Sequence, residues 1–155
     1  MQRSSASVLM GVVIMLPMFA AVGGASQRGQ ADAPAQHRAR TTWDSVYTAA
    51  QASRGESTYT RTCARCHQAS LAGADEAPAL TGAAFLSGWN GQSLADLHTR
   101  IMSTMPTDTP GVFKRQDIVD VIAYVLNFNA FPAGRNELPS DDATLKSIQF
   151  VNVKP

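Results

Sequence analysis

The sequence predicts an all-α domain, and three observations carry that expectation. The strongest is a stripe of Ile118, Val121, Ile122, Val125 and Leu126, whose three- and four-residue spacing places every member on one side of a helix. Two helix-start signatures lie upstream, Thr48-Ala49-Ala50-Gln51 and Ser93-Leu94-Ala95-Asp96, each with a hydroxyl residue followed three positions later by a residue able to return a hydrogen bond. Strand signals are weak by comparison: the one β-prone stretch is Ile148 to Val153.

Taken in order, the first helix opens at Thr48 and runs to about Thr62, with Ala52, Gly55 and Tyr59 on one face. The glycine on that face admits another element close to the backbone. From Gln68 to Gln92 no period is sustained, and Gly73, Pro78, Gly82, Gly88 and Gly91 punctuate what reads as a long loop. Loops of that length are uncommon unless they serve a function, and a bound group would give this one something to wrap. The helix after Ser93 presents Leu94, Leu97 and Ile101 and ends near Thr104, with His98 expected on its exposed side. The terminal helix, about Gln116 to Phe128, stops at Phe131-Pro132-Ala133-Gly134, and the tail beyond holds one helical turn after Ser140.

With 155 residues the chain suits one domain, and 45% apolar with 16% charged residues and a net charge of +1 favours neither nucleic-acid binding nor disorder. The first residues differ from the rest. Arg3, an apolar stretch from Val8 to Val22 and the small residues Gly23-Gly24-Ala25 have the order of a secretory signal peptide, with cleavage expected after Ala25. The apolar stretch is shorter than the ~20 residues a membrane-spanning helix needs, so stable insertion after cleavage is not expected, an uncleaved anchor being the alternative. The expected division is therefore a signal peptide at 1–25, a flexible leader at 26–45, the folded domain at 46–134 and a C-terminal extension at 135–155. Losing Arg3 removes one of thirteen basic side chains and balances the twelve acidic ones, which leaves little long-range steering field.

Chemistry concentrates in Cys63-Ala64-Arg65-Cys66-His67, the C-x-x-C-H pattern of covalent haem attachment. Two thiols three residues apart can each add to a vinyl group of one porphyrin, and the adjoining imidazole can then turn beneath the iron. These are the only two cysteines in an exported chain, which sharpens the reading. A disulfide across so short a loop would constrain little. A thioredoxin-like pair would require a βαβ setting that the pattern lacks. Zinc needs about four ligands, and His37, His67 and His98 with one cysteine pair do not make two spaced pairs.

From Val46 to Phe131 the chain resembles class I c-type cytochromes, on four stations in order: the cysteine motif, Pro78-Ala79-Leu80-Thr81-Gly82, Met105-Pro106 and the terminal helix. It also resembles, more softly, the single-haem cytochromes that accompany quinoprotein (pyrroloquinoline-quinone) dehydrogenases, on Phe85-Leu86-Ser87-Gly88-Trp89 and Asn129-Ala130-Phe131-Pro132-Ala133-Gly134. The resemblance implies a cytochrome c-like fold of three main helices and long loops wrapped around one covalently attached haem c. It implies iron ligated by His67 and a methionine, the pairing that raises potential and suits electron transfer. Of six methionines, four lie in the expected signal peptide, leaving Met102 inside a helix and Met105 just past its end, where Pro106 fixes the path. Met105 is the expected ligand, with His98 as rival and core packing of both methionines as the bland alternative.

The same resemblance implies that the Pro78 carbonyl accepts from the non-ligating ring N–H of His67, that Leu80 packs on the haem, and that Trp89 packs on it or bonds a propionate. The functional expectation is a periplasmic carrier of single electrons rather than an enzyme. It would take electrons from a dehydrogenase, a quinoprotein among the candidates, and pass them to a cytochrome or oxidase of a respiratory chain. The competing expectation is a small haem enzyme or gas-binding protein with an open sixth iron position.

Overall fold

A computed structural model describes residues 39–155 apart from Glu76. The expected signal peptide, His37 and the leader before Ala39 lie outside the described residues. The elements are β1 (Arg40–Thr41), α1 (Ala49–Thr62), α2 (Ala64–His67), α3 (Gly82–Trp89), α4 (Leu94–Thr104), α5 (Arg115–Phe128), α6 (Asp142–Lys146) and β2 (Ile148–Gln149). Among the described residues no helix is long and apolar enough to cross a membrane.

The all-α expectation holds, and the three main helices stand where their periodicity places them, as α1, α4 and α5. Thr48 caps α1 by accepting from the Gln51 N–H at 3.1 Å. Ser93 and Asp96 cap α4 reciprocally: the Ser93 hydroxyl accepts from the Asp96 N–H, and the Asp96 carboxylate accepts from the Ser93 N–H. Each bond satisfies a donor that a helix start leaves without a partner.

α1 and α5 cross with their backbones nearly touching. A Cβ on Gly55 would lie 1.8 Å from the Asp120 carbonyl oxygen, so only glycine permits this approach. One turn further along, Tyr59 packs on Tyr124 with ring centroids 5.1 Å apart. Beside the crossing, Arg54 reaches both Asp120 and Glu137, so α1 is tied to α5 and to the segment after it.

Two features depart from the pattern reading. The stretch from Gln68 to Gln92 is not all loop, because Gly82–Trp89 forms α3. Two turns are too few to display a period, and its glycines read as breakers. The helix is instead secured by Phe85, buried edge-on against Phe150 at 5.9 Å. His98, expected at the surface, is 1% exposed. It lies four residues after Leu94 and three before Ile101, which puts it on the inward face of α4. Its Nε2 has no hydrogen-bond partner, an arrangement that costs about 1–3 kcal/mol when such an atom is sealed from water.

The C-terminal extension, whose role pattern left open, is integral to the core. Leu138, Leu145, Ile148 and Phe150 are all buried with the residues of α5. β2 pairs in parallel with β1, Arg40 opposite Ile148 and Thr41 opposite Gln149, so part of the expected leader is structured as well. Phe150 donates to the Gln92 carbonyl and accepts from Gly91, and the Trp43 indole N–H donates to Val151. The Gln51 side chain, instead of closing the capping box on Thr48, spends both ends on the backbone of Leu138, at 2.9 and 2.8 Å.

Two outcomes follow from this packing. Gly55→Ala gains helix propensity of about 0.5–1 kcal/mol. The collision with the Asp120 backbone costs about 3 kcal/mol and wins, so the urea midpoint of the variant falls well below that of the parent; an unchanged midpoint would refute the close crossing. Burial, followed by the nearby Arg115 cation, holds His98 below the ordinary imidazole value, against smaller upward pulls from a backbone hydrogen bond with Arg115 and from Asp142. The folded state thus favours neutral His98. Stability is fully present above the unfolded value near 6.5 and declines as pH falls through it toward the lower folded value. Chemical denaturation between pH 7 and 5 should show that decline in the parent and a flatter profile in His98→Leu.

Candidate haem site

The cysteine motif continues the line of α1. Cys63 donates to the Tyr59 carbonyl at 2.8 Å, and Cys66 and His67 both donate back to the Cys63 carbonyl, at 3.1 and 2.9 Å. With helical bonding carried through the motif, Cys63, Cys66 and His67 stand at i, i+3 and i+4 and share one face. Neither sulfur is in a disulfide. Cys66 is exposed, while Cys63 is half-buried, and burial pushes its thiol above the ordinary range, with a hydrogen bond to Thr62 pulling the other way.

His67 is buried, and its Nδ1 lies 2.8 Å from the Pro78 carbonyl oxygen. A carbonyl can only accept, so Nδ1 carries a proton, and in the neutral ring the lone pair is then on Nε2. That tautomer is the one a metal bound at Nε2 requires.

The position of Pro78 is over-determined. Gly73 turns the chain at φ +73°, and a Cβ there would lie 2.4 Å from the Ala77 oxygen and 2.7 Å from the Pro78 carbonyl carbon. Gly73 also donates to the His67 carbonyl, Ala74 and Ala77 exchange backbone bonds, and Leu80 donates to Leu71. Asn129, the residue that ends α5, then grips the far side of this strap. Its amide donates to the Leu80 carbonyl at 3.0 Å, and its oxygen accepts from the Thr81 hydroxyl at 3.0 Å. Sequence reasoning missed Asn129 as a site residue; its place immediately after a terminal helix was the available signal.

Leu80 and Trp89 are half-buried and pack against the hydrophobic core. Met102, on α4, also packs there, whereas Met105 is half-buried outside that packed set. Met105 caps the C-terminus of α4 in an extended conformation, donates to the Ile101 carbonyl at 2.9 Å, and precedes Pro106 through a cis peptide bond. A cavity of about 320 Å³ separates the end of α1 from the loop after Met105, lined on one side by Arg61 and Thr62 and on the other by Pro106 and Phe113. Arg65, inside the motif, bridges to Asp108 at 2.7 Å.

The donor set fits a covalently held haem: two unbridged thiols and one imidazole of defined tautomer on a single helical face. Among the described residues no group of three or more His, Cys, Asp or Glu is placed to hold a metal ion by itself. Residues 50–125 match the family model of cytochrome C oxidase, cbb3-type, subunit III. The matched span contains the cysteine motif, Pro78, Leu80, Trp89 and Met105. No curated protein and no solved structure is matched by the chain. The match and the helical architecture support a c-type cytochrome domain over residues 50–125, and such a domain implies covalently bound haem c and haem-based electron transfer.

Proposed function

We propose that this c-type cytochrome works as an exported, periplasmic carrier of single electrons, with Cys63 and Cys66 as thioether anchors and His67 and Met105 as axial ligands. The observation that carries the reading is the bond from His67 Nδ1 to the Pro78 carbonyl, which leaves Nε2 free to bind a metal on the same helical face as both sulfurs. Bound haem supplies one iron that cycles between ferric and ferrous states. The chain's own contribution would be to hold that iron through His67 and, from the end of α4, through Met105.

With His67 and Met105 both holding the iron, no site would remain for a substrate, and the proposed role is carriage rather than catalysis. Leu80 and Trp89, which pack against the core, would supply apolar wall to the bound group, keeping water from the iron and favouring the reduced state. The proposed donor is a dehydrogenase, a quinoprotein among the candidates. The proposed acceptor is a cytochrome or terminal oxidase of a respiratory chain, which suits a domain matched by a model named for an oxidase subunit. Export rests on the sequence of residues 1–25.

Reductive titration of the purified holoprotein should show one reversible one-electron couple at positive potential, with cyanide and carbon monoxide binding slowly or not at all. Rapid, tight binding of either ligand together with peroxide turnover would replace the carrier with an open-site haem protein. The near-infrared band of methionine-ligated ferric iron should vanish in Met105→Ala and persist in Met102→Ala. The reverse result would move the ligand to Met102.

A further inference from the structure

Residues Thr107 to Gly111, between Met105 and the core-packed Phe113, are exposed, and a cavity lies between this loop and the end of α1. Inside the loop, Thr109 donates its N–H to the Pro106 carbonyl at 3.1 Å, which closes a turn. Its hydroxyl donates to Asp108 Oδ1 at 3.1 Å, which fixes the carboxylate on that turn. The other carboxylate oxygen, Oδ2, accepts from Arg65, 43 residues away and seated between the two cysteines. Among the described residues this is the one hydrogen bond that joins residues 105–113 to residues 63–67.

We infer that the Arg65–Asp108 pair is a positioning device for the sixth iron ligand, fastening the turn behind Met105 to the segment that carries both thioethers. The inference rests on the reading of Met105 as that ligand. The physical logic is one of complementary supports. His67 is oriented by a backbone strap clamped at several points, whereas Met105 is anchored on its N-terminal side by α4 and on its C-terminal side by this ion pair. Freeing Asp108 lets the turn move away from the motif, so the methionine spends more time off the iron and a competing ligand gains access. Arg65 and Asp108 are themselves more than half exposed, so the effect is bounded by what exposed pairs contribute.

The test uses full-length ferric holoprotein with imidazole as the competing ligand, followed by absorption. Asp108→Asn and Arg65→Gln should each raise imidazole affinity roughly two- to five-fold, the range open to an exposed pair. The double variant should show no more than either single one, because both remove the same bond. High salt should bring the parent toward the variants and leave the variants unmoved. Urea midpoints should change little, since the pair lies outside the α1–α5 core. Parent-like imidazole affinity in Asp108→Asn, additive effects in the double variant, or a gain in affinity matched by a general loss of stability would each overturn the inference. Met105→Ala separates the two levels: a near-infrared band that survives it removes Met105 as ligand, and the inference falls with it. A band that it abolishes, alongside parent-like Asp108→Asn, removes the positioning role alone.

Discussion

The near-contact of two backbones at Gly55 and Asp120 is the constraint on which the rest of the structure depends. It sets how closely and in what register α1 lies on α5, and the motif that follows α1 inherits its position from that crossing. The neighbours of Gly55 reinforce it in different currencies. Arg54 spans Asp120 and Glu137 by charge, and Tyr59 meets Tyr124 by aromatic packing. Tyr59 then reaches past the motif, its hydroxyl donating to the Gln68 carbonyl at 2.7 Å, so the segment that returns from His67 is tied to the same helix.

α5 holds the site from its other end as well. Asn129, at its C-terminus, clamps Leu80 and Thr81, and Leu71 takes the Leu80 N–H from the opposite side. The Pro78 carbonyl therefore occupies a place fixed by backbone bonds, and the imidazole of His67 is aimed by a group that cannot swing. A flexible side-chain acceptor would orient the ring less firmly and would bring a charge. A backbone carbonyl orients the ring without one, which leaves the proposed iron ligand a neutral imidazole.

The extension beyond Gly134 shows how a chain of this size completes its core. Phe150 sits between Phe85 and Phe131, and Trp43 packs on Phe131 with its ring tilted, so α3, the segment after α5 and both ends of the described chain converge on one aromatic cluster. Gln51 acts as a surrogate strand partner for Leu138, exchanging two bonds with its backbone as a neighbouring peptide would. The segment that pattern marked as a tail thus packs on α1 through Leu138 and belongs to the core.

What was legible in the sequence was whatever depends on residues three or four apart. The motif Cys63-Ala64-Arg65-Cys66-His67, the caps at Thr48 and Ser93, and the stripes of α4 and α5 follow from helical geometry alone, and the permissive role of Gly55 could be read from its place on the face of Ala52 and Tyr59. α3 escaped because two turns hold too few residues to establish a period. His98 illustrates the boundary: its spacing from Leu94 and Ile101 pointed inward, but its polarity argued outward, and the decision rested on α5 and α6 covering that face. Only the tertiary structure decided the partners of Gln51, Asn129, Arg54 and Arg65, which lie from 43 to 87 residues away along the chain. Periodicity records which face of an element is apolar; which polar groups meet across the gap between elements is settled only when the burial of those faces has fixed the chain's path.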